Sequence, residues 1–174
     1  MEIVHIAKAS SPIGTLRVAS TEKGLAYLQL PHASGRGLNA WLQRHVPRAE
    51  RRTAIGPNKP VISQVLEYLE CGRTHFEVPL DLRGTPFQKD VWARLLEIPY
   101  GDSCSYADVA RSVGRPNAVR AVGMANAANP VALIVPCHRV IAADGSLGGY
   151  GGGTDLKRKL LAMEQSLPCG SRLL

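Results

Sequence analysis

Apolar and polar residues alternate along three early stretches of the chain, 2–8, 14–20 and 25–30, with turn-forming residues at 10–14 and 22–24 between them. A period of two puts Leu16, Val18, Leu28 and Leu30 on one face, which predicts three short strands of one sheet. The period then changes. Residues 38–45, carrying Trp41 and Leu42, are expected to form a helix. Residues 61–71 place Val61, Ile62, Val65, Leu66 and Leu69 on one helical face, with Gly72 as the stop. Between these helices, 47–60 is rich in Arg and Pro and reads as a solvated loop, while 76–82 alternates again as a returning strand.

Arg83-Gly84-Thr85-Pro86 reads as a joint. Thr85 suits a helix N-cap and Pro86 the first helical position, so a helix is expected over 86–98 with Phe87, Val91, Trp92, Leu95 and Leu96 on one face. Pro99-Tyr100-Gly101-Asp102 stops it. Ser105 caps a further helix over 106–113, Gly114-Arg115-Pro116-Asn117 turns the chain, and a second helix follows over 118–127. Two short helices joined by a Gly-containing turn match a helix-turn-helix. The second one is unusual for that role. A helix reading the major groove presents groups that hydrogen-bond base edges, whereas this one offers mainly Ala and Gly around a single Arg120. Small residues permit a close backbone approach, either to a narrow groove or to neighbours in a core, and the pattern leaves both readings open.

At 174 residues the chain has room for one ordinary domain or two small ones. A hydrophobic share of 45% and a charged share of 20% fit a soluble globular protein. No apolar run is long enough to span a bilayer, and Met1-Glu2-Ile3-Val4-His5 lacks the layout of a secretory signal, so a cytoplasmic protein away from membranes is expected. The net charge of +7 divides as a surplus of four in residues 1–86 and three in 87–174, which favours a polyanionic partner without a basic tail. The four cysteines, Cys71, Cys104, Cys137 and Cys169, show no metal-site spacing. Reduced thiols and no structural metal are expected, with a Cys71–Cys169 disulfide left open.

The chemistry concentrates in Ile134-Val135-Pro136-Cys137-His138-Arg139-Val140-Ile141. A buried thiol is usually inert packing. Here His138 and Arg139 adjoin it within an apolar run, and buried charge needs partners. Pro136 fixes the backbone before the thiol, so Cys137 is expected to open a turn or short helix. The thiolate is the nucleophile, and burial opposes its formation, so a base must compensate. Adjacent side chains on a helical turn point roughly 100° apart, which makes a bridging water more natural than direct Cys137–His138 contact.

Pro136-Cys137-His138-Arg139 is accompanied by Ile98-Pro99-Tyr100-Gly101, Ser105-Tyr106, Arg120-Ala121-Val122-Gly123, Asn129-Pro130 and Gly149-Tyr150-Gly151-Gly152-Gly153. With these motifs the chain resembles the O6-alkylguanine-DNA alkyltransferases, or methylated-DNA–protein-cysteine methyltransferases. The resemblance is strong over 85–165. It is weaker in Ser11-Pro12-Ile13-Gly14-Thr15-Leu16 and Asp81-Leu82-Arg83-Gly84-Thr85. It implies an α/β (α+β) fold: a small ribonuclease-H-like N-terminal sheet domain over 1–82, the joint at 83–86, and a mostly helical, winged helix-turn-helix-like C-terminal domain over 87–174. Nothing in the first half carries recognisable chemistry.

The resemblance also implies roles. Cys137 takes the alkyl group from O6 of guanine, or O4 of thymine, once and irreversibly, with no metal or organic cofactor. His138 activates it through water, oriented by Glu164, although spacing alone would make Glu164 a solvated helix residue. Arg120 fills the gap left by the flipped nucleotide, where a phosphate contact or surface ion pair is the plainer alternative. Ala118, Val119, Ala121 and Gly123 line the minor groove, and Val119 stands where relatives commonly have Ala. Tyr106 donates to the guanine ring, against the alternative of a half-buried core aromatic. Asn129 bonds backbone near Cys137 and Val140, or else marks an ordinary Asn-Pro turn. Tyr150, Gly151 and Gly152 form a wall of the pocket, or else a flexible linker. Gly151, Ser in some relatives, presents its N–H to the alkylated oxygen, and the Val140 carbonyl takes the guanine amino group. The expected partner is double-stranded DNA containing O6-alkylguanine, bound by a monomer, with cooperativity open. The rival readings are a non-enzymatic alkylated-DNA-binding protein, which lacks the cysteine, a helix-turn-helix regulator, and a Cys-His-Glu thiol hydrolase.

Overall fold

Strands β1 (Ile3–Ser11), β2 (Gly14–Thr21) and β3 (Gly24–Gln29) form an antiparallel meander. The computed structural model describes residues 1–33 and 37–166, so the Cys169 half of the Cys71–Cys169 alternative lies outside the described residues. Helix α1 (Gly37–His45) lies on one sheet face and buries Leu38, Trp41 and Leu42 against Val4, Ala19 and Ala26. The other face presents Leu16, Val18 and Leu28, as their alternation requires, to Val61, Val65 and Tyr68 of α2 (Lys59–Leu69).

Three expectations for this half need correction. The loop expected over 47–60 contains a fourth strand, β4 (Glu50–Thr53), parallel to β1 at the sheet edge. Its side chains are exposed or half-buried, so backbone pairing places it and no apolar period betrays it. After it comes a short 3₁₀ turn in which Asn58 is fully buried. Its amide accepts from Ser20 Oγ at 2.7 Å and donates to the carbonyls of His5 and Ala54 at 3.0 and 3.1 Å. The strand expected over 76–82 is a single bridge between Leu25 and Leu80, made by Leu25 N–H to Pro79 O and Asp81 N–H to Leu25 O, both 2.8 Å. Pro79 has no N–H with which to extend a ladder. Finally, α2 runs two residues earlier at each end than predicted. The left-handed residue that stops it is Cys71, with φ at 61°, rather than Gly72. Cys71 N–H returns to Tyr68 O and Gly72 N–H to Glu67 O, closing the helix with a Schellman pair.

The second half is built from α3 (Pro86–Leu96), α4 (Tyr106–Ser112), α5 (Val119–Ala127) and α6 (Thr154–Ser166). Thr85 and Ser105 cap α3 and α4 as expected, each in a reciprocal capping box, with Gln88 and Asp108 respectively. A two-residue parallel pair, β5 (Cys104–Ser105) and β6 (Val140–Ile141), ties the start of α4 to the chain leaving Cys137.

One core joins the two halves. Val91, Trp92 and Leu95 of α3, Val122 and Ala125 of α5, and Val131, Leu133 and Val135 continue the cluster begun by β2, β3 and α2. Trp92, 1% exposed, donates its indole N–H to Ala125 O at 2.8 Å, and truncating such a side chain costs about 3–5 kcal/mol. β3 also reaches across: Leu28 N–H bonds Pro130 O at 2.8 Å. The N-terminal sheet therefore holds the segment that leads into Cys137.

Candidate active site

Asn129 begins that segment. Its Oδ1 accepts the Val131 N–H at 3.0 Å and its Nδ2 donates to Val135 O at 2.8 Å, folding residues 129–135 back on themselves. Its backbone partners are thus Val131 and Val135, the latter two residues before Cys137. Residues Cys137–Arg139 form one 3₁₀ turn, all three buried. The turn anticipated from Pro136 is present, and the alternating burial of a strand is not.

Cys137 is 5% exposed and lines a pocket of about 470 Å³ with Tyr106, Gly123, Asn126, Tyr150 and Gly151. That volume suits a small-molecule-sized group. A second cleft reaches the same cysteine from the sheet side, past Leu28, Trp92 and Pro130. Burial pushes the thiol above its ordinary value, opposed by a hydrogen bond with the Asn129 side chain and the positive charge of Lys157.

His138 and Glu164 meet as expected, with Nε2 2.8 Å from Oε1 and neither side chain exposed to solvent. Glu164 is not a solvated helix residue. Its carboxylate also accepts from Arg139 Nε at 2.9 Å, Arg139 Nη2 at 2.9 Å and the Tyr68 hydroxyl at 2.6 Å. Burial alone would raise its pKa, but the bonds from His138, Arg139 and Tyr68 carry it down to about 2. With an ionised carboxylate facing Nε2, the neutral imidazole carries its proton there. Burial holds His138 below its ordinary pKa against the pull of Glu164. The remaining nitrogen, Nδ1, is buried with no hydrogen-bond partner among the described residues, an acceptor available to a bridging water.

Three residues of this site carried no signal in the sequence. Tyr68 sits in the apolar period of α2. Lys157, fully buried in α6, donates Nζ to the carbonyls of Val140 at 2.6 Å, Leu147, and Gly149 at 3.3 Å. Asn126 donates Nδ2 to Cys137 O at 3.3 Å, and its Oδ1 is buried without a partner among the described residues. A polar residue inside a helical pattern reads as surface until its partners are known, and here most of those partners are backbone carbonyls.

The glycine loop is held against this cluster. Gly148 has φ at 70°, and a Cβ there would come within 2.9 Å of the Tyr106 hydroxyl, so the loop and Tyr106 are mutually fitted. Tyr150 places its ring 6.4 Å from His138, edge to face, and its buried hydroxyl has no partner among the described residues. Gly151 lines the pocket, and Gly152 lines the second cleft. Val140 O, expected to face the substrate, is already engaged by Lys157, which leaves it one lone pair.

Above the pocket, α5 is half core and half surface, so neither a wholly buried helix nor a free one describes it. Val122, Ala125 and Asn126 are buried, whereas Val119, Arg120, Ala121 and Met124 are exposed and Ala118 and Gly123 are half-buried. Arg120 therefore stands at the surface on the small-residue face, one turn before the pocket-lining Gly123.

Two family descriptions match the chain: "6-O-methylguanine DNA methyltransferase, ribonuclease-like domain" over residues 4–82, and the DNA binding domain of the same name over 86–166. A methylated-DNA–protein-cysteine methyltransferase of Mycobacterium tuberculosis is 43% identical over 165 residues, covering 94% of both chains. The inducible one of Bacillus subtilis is 43% identical over 148 residues, covering 85% of this chain and 83% of the other. The crystal structure of M. tuberculosis OGT in complex with DNA superposes with a TM-score of 0.80 at 42% identity, over 93% of each chain. On fold, motif and likeness throughout its length, the chain belongs to the 6-O-methylguanine DNA methyltransferase family.

Proposed function

We propose that this protein repairs double-stranded DNA by transferring methyl and other alkyl groups from O6 of guanine, and O4 of thymine, to Sγ of its own Cys137. The observation that carries the reading is a buried thiol opening on a base-sized pocket directly beneath the exposed, small-residue face of α5 that bears Arg120. The helix lies along the minor groove on Ala118, Val119, Ala121 and Gly123. Arg120 occupies the gap left as the damaged nucleotide rotates out of the stack, a step that costs a few kcal/mol.

In the pocket, Tyr150, Gly151 and Gly152 flank the base, and Val140 O offers its remaining lone pair to the guanine amino group. Asn129 and Lys157 lower the cost of a thiolate. His138, held by Glu164, takes the thiol proton through a bridging water at Nδ1. Sulfur attacks the alkyl carbon in line, the carbon–oxygen bond breaks, and the electron pair returns to the purine, where the Tyr106 hydroxyl donates to a ring nitrogen. The thioether does not hydrolyse, so each molecule acts once, as a monomer in the cytoplasm. In this reading 1–82 is the ribonuclease-H-like domain, 83–86 the joint, and 87–174 the unit that binds DNA.

A Cys-His-Glu hydrolase would need a thiol in contact with the imidazole, whereas Nε2 is taken by Glu164 and Tyr68 and Nδ1 has no hydrogen-bond partner among the described residues. The deciding experiment incubates the protein with a duplex containing O6-methylguanine and maps peptide masses. One added methylene unit on the Cys137 peptide, stoichiometric with protein and permanent, is expected. An unmodified or regenerating cysteine removes the reading, and Cys137→Ala should keep DNA binding while losing transfer.

A further inference from the structure

Tyr68 lies in α2, outside the helices that build the pocket, and is fully buried. Its ring packs 5.3 Å from that of Phe76 and edge-on to Tyr100 at 6.2 Å, a setting that phenylalanine would fill as well. The hydroxyl is therefore surplus to packing, and burying it is costly unless it is bonded. It donates to Glu164 Oε1 at 2.6 Å and stands 3.3 Å from His138 Nε2.

From this geometry we infer that Tyr68 is a positioning residue which sets the proton affinity of His138 through Glu164, so that residues 1–82 tune the chemistry at Cys137 as well as supporting it. The link to alkyl transfer rests on Cys137 being the acceptor. Each donor to a carboxylate withdraws charge from it, and a less basic carboxylate stabilises the imidazolium less. Tyr68 thus keeps His138 neutral and ready to accept the thiol proton. The phenol oxygen near Nε2 works in the opposite sense, but the 2.6 Å charge-assisted bond outweighs a 3.3 Å contact. The other groups facing His138 are Cys137 and Arg139 on its own turn, Glu164 and Lys157 on α6, and Tyr150 from the glycine loop. All of them stay constant in the variants below.

Two variants of the full chain test this. Tyr68→Phe removes the donor, and 3-fluorotyrosine placed at position 68 strengthens it without changing shape. The His138 ring is titrated by NMR in the free protein, and the transfer rate is followed against pH on an O6-methylguanine duplex. The midpoint should rise in Tyr68→Phe and fall in the fluorinated protein. Transfer by Tyr68→Phe should slow about tenfold on the acid side, the scale of one charge-assisted hydrogen bond, with duplex affinity unchanged. Coincident His138 titrations in all three proteins overturn the inference, as does a loss of thermal stability in Tyr68→Phe without a titration shift. The fluorinated protein decides the matter if the phenylalanine variant does not fold. Shifted titrations in a protein that never alkylates Cys137 would uphold the Tyr68–His138 coupling and remove the alkyltransferase reading instead.

Discussion

The ammonium nitrogen of Lys157 lies 2.6 Å from the carbonyl oxygen of Val140, on the strand that leaves Cys137. The same nitrogen binds Leu147 O and Gly149 O and sits 5.8 Å from the centre of the Tyr106 ring. One buried cation thus joins the strand after Cys137, the glycine loop and the aromatic at the start of α4. Burial lowers its pKa, and the charge on Cys137 opposes that shift.

Lys157→Met keeps the length of the side chain and removes the charge and three donors. Leaving the carbonyls short of a partner should cost about 1–3 kcal/mol of stability. Because Lys157 favours the thiolate, alkylation of Cys137 by iodoacetamide should move to higher pH, read by peptide mass against Cys104 in the same sample. A labelling profile that stays in place would confine Lys157 to loop anchoring.

Acid should act on this protein through the buried cluster. Glu164 has a folded pKa of about 2 against an ordinary 4.5. Its contribution is therefore complete above about 4.5 and is lost as pH falls towards 2. His138 has a lowered pKa, so the folded state binds protons less readily than the unfolded one, and stability also declines as pH falls below the ordinary histidine value of 6.5. Both slopes have the same sign. Glu164→Gln leaves the buried Arg139 guanidinium without its counter-charge and should cost about 3–5 kcal/mol at neutral pH. Urea unfolding from pH 7 to 3 should show a shallower pH dependence for Glu164→Gln, and parallel curves would contradict the assignment.

What the sequence reveals of this arrangement depends on whether a contact leaves a period. The three-stranded meander is legible because its inner face is apolar, as are the helix caps, where Thr85 and Ser105 act on donors three residues away. β4 leaves no mark because its outward side chains pack against little. The Cys137–Arg139 turn announces itself through polar residues in an apolar run, and Glu164 only through resemblance. Tyr68 and Lys157 stay hidden for a different reason: the first bonds a residue 96 positions away and the second bonds carbonyls, which every residue has.

The glycine loop offers a paired test of fit. At Gly148 a Cβ would sit 2.9 Å from the Tyr106 hydroxyl on a backbone with φ at 70°, whereas at Gly149 it would meet nothing within 4 Å. Gly148→Ala should therefore displace Tyr106, destabilise the protein by about 1–2 kcal/mol and slow transfer. Gly149→Ala should leave both nearly unchanged. Comparable slowing by the two would mean that the loop's freedom matters, rather than its contact with Tyr106.

Arg120 separates two kinds of DNA contact. If it fills the place of a rotated nucleotide, its planar guanidinium stacks on the neighbouring bases, and Arg120→Ala should slow transfer from duplex DNA by tenfold or more on the scale of about 1–3 kcal/mol for one stacked base. Reaction with free O6-methylguanine, which needs no rotation, should change little. Arg120→Lys keeps the charge without the plane and should recover little of the duplex rate. A phosphate contact would behave otherwise: lysine would restore activity, and alanine would reduce the salt dependence of binding by about one counterion. Measuring the three proteins on duplex and free base at two salt concentrations distinguishes the outcomes, and equal slowing of both substrates by Arg120→Ala would remove the gap-filling role.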